Sequence, residues 1–114
     1  MSDTTNAAVT VEDAEGVMTV HLDDGKANAL SFAVIEAVTA ALDRAEADPS
    51  IGALVLHGRE GKFCAGFDLG VMRGGDVRQV IDLVSDGGEL VRRLYGSPVP
   101  IVAACTGHAL AAGL

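Results

Sequence analysis

Apolar positions along the chain change period several times, and each change marks an element. Val9-Thr10-Val11 and Val17-Met18-Thr19-Val20-His21-Leu22 alternate around Ala14-Glu15-Gly16, which predicts two short antiparallel strands joined by a tight turn. Met18, Val20 and Leu22 then share one face. His21 falls on the other, where a solvent-side strand histidine is expected because the local sequence holds no second His or Cys.

Asp23-Asp24-Gly25-Lys26 breaks the strand, and Ser31 is placed to cap a helix from Phe32 to about Ala47, with Ile35, Val38, Leu42 and Ala45 on its buried stripe. Asp48-Pro49 ends it, since a residue before proline is pushed out of the helical region. Ala53-Leu54-Val55-Leu56-His57 is a nearly continuous apolar run, as expected of a strand covered on both faces. A loop from Gly58 to Gly66 follows. A second helical pattern covers about Val77 to Tyr95, with Val80, Val84, Val91 and Leu94 among its apolar positions, and Pro98 and Pro100 close it. Val99 to Cys105 reads as another buried strand, completing a right-handed βαβ unit. The chain then finishes on Gly107 to Leu114, an apolar small-residue segment without a cap, which suggests a fragment or truncation.

Composition narrows the function. The 114 residues are 49% hydrophobic, with mean hydropathy +0.34, which opposes disorder and suits one core. A net charge of -8 repels phosphate backbones and anionic lipid surfaces, so nucleic-acid binding is disfavoured. Met1 to Asn6 lacks the features of a targeting peptide, and no apolar stretch is long enough to span a bilayer. A soluble cytoplasmic protein is therefore expected, with no membrane partner. Cys64 and Cys105, far apart and outside any zinc-ligand spacing, are expected to be reduced, and no metal ligand is assigned.

Two glycine-bearing loops follow the buried strands, at the carboxyl ends where open α/β sheets place ligands. They are Gly61 to Leu69 and Thr106 to Gly113. Small residues there let a ligand reach backbone N–H groups able to stabilise an oxyanion, while spacing alone favours the plainer reading of two tight turns with small residues for packing. The chain has no P-loop, GxSxG elbow, HExxH or GxGxxG. Ser97 lacks an evident base.

Three motifs in register are more specific. Lys26-Ala27-Asn28-Ala29-Leu30-Ser31, Phe63-Cys64-Ala65-Gly66-Phe67-Asp68-Leu69 and Pro98 through Gly107-His108-Ala109-Leu110-Ala111-Ala112-Gly113 resemble, in order and spacing, the enoyl-CoA hydratase/isomerase (crotonase) superfamily. The resemblance implies an α/β fold, a crotonase-like ββα spiral incomplete at its C-terminus, with residues 1–114 the N-terminal part of one domain. It also implies a lyase or isomerase of fatty acid metabolism acting on an acyl-CoA thioester. No cofactor would be bound permanently; coenzyme A would arrive as part of the substrate.

By the same carry-over, the backbone N–H groups of Phe67 and Ala112 would form the oxyanion hole. Lys26, Ala27, Ala29, Ala65, Asp68, Leu69 and Leu110 would line the CoA and acyl sites. Lys26 could meet a CoA phosphate or be a solvated turn lysine, and Asp68 is read as a cap rather than an acid catalyst. The departures are Ala111 and Ala112, where relatives usually carry glycine, and the position after Leu114, where hydratases place a catalytic Glu. The resemblance implies a homotrimer or hexamer. The competing reading is a truncated, non-catalytic chain that binds CoA or a partner; a Clp-like serine peptidase would need a Ser and His that nothing here supplies.

Overall fold

The computed structural model describes residues 8–114. The Met1 to Asn6 segment read above for targeting lies outside them. Strands β1 (Val9–Ala14) and β2 (Val17–Leu22) pair antiparallel from Val9↔Leu22 to Ala14↔Val17. Their turn, Glu15 and Gly16, has φ of 53° and 82°, the left-handed pair that matches the twist of a two-residue hairpin. Strands β4 (Ala53–His57) and β7 (Ile101–Ala104) add in parallel, giving the order β1-β2-β4-β7.

Helix α1 (Phe32–Ala47) has the predicted bounds. Ser31 Oγ accepts the Val34 N–H at 3.1 Å, and Asp48 turns extended before Pro49. Its buried stripe is Val34, Ile35, Val38, Ala41, Leu42 and Ala45, and it packs over Met18, Val20, Leu22, Leu54 and Leu56 of the sheet. Helix α3 (Val77–Tyr95) is capped by Asp76, whose carboxylate accepts from Arg78 and Gln79, and it lies against α1. Arg93 joins the helices electrostatically through Asp43 and Glu46. A link this exposed contributes little beside the apolar contact.

Three expectations need correction. The loop after β4 carries two further strands, β5 (Gly61–Cys64) and β6 (Gly66–Phe67), which pair with β8 (Gly107–Ala109) and β3 (Ala29–Leu30) respectively. The core side of α3 is Leu83, Gly87 and Leu90, whereas Val84 and Val91 are exposed, because this helix bears a second apolar stripe through Val77, Ile81, Val84, Val91 and Tyr95. Finally, neither strand expected to be buried is covered on both faces: β4 is buried on one face only, with Ala53, Val55 and His57 half-buried on the other, and β7, at the edge of the sheet, has Val102 and Ala103 exposed and Ile101 and Ala104 half-buried. Among the described residues no helix is long and apolar enough to cross a membrane.

Candidate active site

Five short elements meet beside the sheet's carboxyl edge: the turn before β3, strands β5 and β6, helix α2 (Leu69–Met72), and a 3₁₀ turn at Ala111–Gly113. Asp24 builds the first of them. Its Oδ1 accepts the N–H groups of Lys26 at 2.7 Å and Asn28 at 3.0 Å, while Oδ2 accepts that of Ala29 at 3.0 Å. Asn28 returns the bond, its Oδ1 accepting the Asp24 N–H at 3.0 Å. The buried Asn28 amide then donates to the carbonyls of Leu22, Lys62 and Phe63 at 2.8, 3.3 and 3.2 Å. One side chain thus ties the end of β2 to β5.

Partial burial alone would raise the Asp24 carboxyl pKa, but the N–H groups of Ala29, Lys26 and Asn28 and the Arg59 guanidinium outweigh it and hold it below the ordinary 3.8. The folded carboxyl therefore contributes stability that is complete above 3.8 and is lost as pH falls through its lower folded value. In an acid titration followed by amide exchange, protection at Ala29 is expected to fail in that window. Unchanged protection there down to global unfolding would contradict this role.

The second loop closes on the first. Leu110 N–H donates to the Cys64 carbonyl at 2.9 Å, and a Cβ on Gly113 would stand 2.3 Å from that same oxygen. Gly66, at φ +100°, faces this turn: a Cβ there would lie 3.0 Å from Ala111 Cβ and 3.5 Å from Ala112 N. Backbone therefore meets backbone between the residue before Phe67 and the start of the 3₁₀ turn, a region of a helix whose first N–H groups lack helical partners. Ala111 sits at φ 52°, a conformation that costs a non-glycine residue about 1–2 kcal/mol. That is the physical reason a glycine suits this position.

Phe67 is half-buried, and its ring fills the space over Gly87, where a Cβ would approach Cε1 to 2.5 Å. Asp68 caps α2 by accepting the Gly70 N–H at 2.8 Å, as read from sequence. Lys26, Ala27, Ala65, Leu69 and Leu110 are exposed around the junction, and Ala29 is half-buried in β3. Ala65 N–H reaches the Asn28 carbonyl at 3.2 Å, joining that loop to the Lys26 turn. Burial pushes the Cys64 thiol up in pKa, keeping it protonated and inert. Cys64 and Cys105 are free thiols.

Sequence reading passed over Asp24, Asn28 and Arg59. The guanidinium of Arg59 pairs with Asp23 at 3.1 Å and also donates to the Lys26 carbonyl, adding a second base beside Lys26. A larger groove of about 700 Å³ runs between α1 and α3, but Glu36, Asp43, Asp86 and Glu89 line it against Arg93. That balance repels a polyphosphate. At the loop junction Lys26 and Arg59 stand beside Asp23 and Asp24.

Comparison with known proteins identifies the family of the chain. A model of the enoyl-CoA hydratase/isomerase family matches residues 12–114. A probable enoyl-CoA hydratase of Bacillus subtilis is 32% identical over 94% of this chain and 41% of its own length. The crystal structure of a probable enoyl-CoA hydratase from Mycobacterium tuberculosis superimposes with a TM-score of 0.87 at 42% identity, covering 93% of this chain and 44% of that one. An enoyl-CoA hydratase/isomerase family protein from Pseudomonas syringae gives 0.86 at 40% identity, over 93% and 45%. The chain thus spans a little over two fifths of the length of these relatives.

Proposed function

Because the chain belongs to the enoyl-CoA hydratase/isomerase family, we propose that it supplies the oxyanion-binding half of an enzyme acting on acyl-CoA thioesters. The donors are the backbone N–H groups of Phe67 and Ala112. The observation that carries this reading is the close approach of Gly66 to Ala111 and Ala112, across which only the Ala111 methyl intervenes. Removing a proton beside a thioester carbonyl, or adding a nucleophile to its conjugated alkene, puts negative charge on the carbonyl oxygen. Two fixed N–H groups answer that charge, and losing one costs about 2.7–4 kcal/mol of barrier.

Main-chain donors tolerate Phe and Ala equally, since neither side chain carries the bond. Lys26, with Arg59 beside it, attracts the CoA phosphates, while Ala27, Ala29 and Ala65 keep the groove narrow and free of side-chain obstruction. Leu69 and Leu110 border the acyl end, and Asp68 holds the start of α2 under it. Hydration, isomerisation and related reactions share this enolate step and differ in the acid and base that serve it. The reading includes assembly into a trimer or hexamer. The exposed apolar stripe of α3 supplies surface for it to bury.

Calorimetry of the whole protein with a saturated acyl-CoA tests the proposal. A Lys26→Glu variant is expected to bind at least tenfold more weakly, with the difference shrinking as salt rises, because the contact is an exposed charge on phosphate. Absence of acyl-CoA binding by the unaltered protein would overturn the reading.

A further inference from the structure

The parallel register of β2 and β4 sets His21 directly beside His57 on the half-buried face of the sheet, away from the loop junction. Their Nδ1 atoms are 3.3 Å apart, with the rings at 74° to one another. On its far side, His21 Nε2 lies 2.7 Å from Glu12 Oε1 of β1. A carboxylate accepts only from an N–H, so this contact assigns the proton to Nε2 and leaves the Nδ1 lone pair of neutral His21 facing His57.

We propose that His21 Nδ1 and His57 Nδ1 form a two-imidazole site for a divalent transition metal, zinc being the ion argued for, with water in the remaining positions. Two nitrogens bound to one tetrahedral zinc at about 2.0–2.1 Å stand roughly 3.3 Å apart, the separation already present here. In the metal-free protein a proton shared between the rings closes the same gap. Glu12 supplies the outer carboxylate that typically accepts the other ring N–H of a metal-bound histidine, fixing its tautomer and raising its basicity. Imidazole is a ligand suited to zinc, and the chain's net charge of -8 favours a cation. No third His, Cys, Asp or Glu joins the pair among the described residues, so the metal would be exchangeable. Residues 36 positions apart give no ligand spacing to a sequence reader. Strand pairing creates the site.

Zinc chloride titrated into the whole protein in chelator-free buffer is the test, read by calorimetry and by ring resonances of the histidines. One zinc per chain is expected, with shifts at His21 and His57 but not at His108. His21→Asn and His57→Asn should each weaken binding at least tenfold, Glu12→Gln about tenfold, and Cys105→Ser not at all. The ring shifts of the unaltered protein decide the matter should the histidine variants fail to fold. Binding that survives His57→Asn, that vanishes on Cys105→Ser, or that never reaches a defined stoichiometry would overturn the proposal. None of these outcomes depends on acyl-CoA chemistry.

Discussion

Asn28→Ala is expected to destabilise the protein by about 3–7 kcal/mol, measured as the shift in urea unfolding of the whole protein. Two terms make up this figure. The carbonyls of Leu22 and Phe63 accept buried bonds from the Asn28 amide, and leaving each without a partner costs about 1–3 kcal/mol. Asn28 also sits at φ 60°, where asparagine is tolerated and alanine adds about 1 kcal/mol of strain. Asn28→Gly separates the two, because glycine adopts that φ freely and restores only the strain term. Asn28→Asp should be no better than alanine, since a second carboxylate would face three carbonyl oxygens beside Asp24. A loss below 1 kcal/mol in the alanine variant would mean that water replaces the amide and that the turn is held elsewhere.

That residue shows where sequence reading stops. Local rules placed the hairpin, α1 with its Ser31 cap, and α3, since each of those boundaries depends on a few consecutive residues. Which stripe of α3 turns inward depends on α1, a partner distant in sequence, and the apolar pattern offered two stripes. Strands β5 and β6 were hidden for a similar reason. Their partners are β8 and β3, and short strands make too little local pattern to declare themselves. Family resemblance brought out Phe67 and Ala112 by motif, yet the residues that shape the junction are Gly66 against Ala111, Gly87 under the Phe67 ring, and Asn28 bonded to the Phe63 carbonyl. Of these, Asn28 alone had a usable local signal: an Asn four residues after an Asp in a Gly-bearing turn is a pattern for a left-handed, side-chain-bonded corner. His21 and His57 meet only through parallel pairing, so no reading of either segment could join them.

Gly66→Ala carries the largest expected effect on catalysis, and its prediction rests on the proposed oxyanion hole. At φ +100° an alanine is strained whatever the space around it, at a cost of about 1–3 kcal/mol. Its Cβ would also press on Ala111 at 3.0 Å, forcing the 3₁₀ turn away from β6 by a few tenths of an ångström. Two N–H donors that must converge on one oxygen do not survive such a shift well, so kcat for an enoyl-CoA substrate should fall by about 10²–10³. Acyl-CoA affinity should change far less, since the Lys26 and Ala65 side of the groove stays in place. Gly75→Ala is the control: that glycine has φ +83° with open space around it, so it carries backbone strain without the collision. It should lower stability and leave kcat near its original value. Equal loss of kcat in both variants would assign the effect to stability, and an unchanged kcat in Gly66→Ala would remove the loop junction from the reaction.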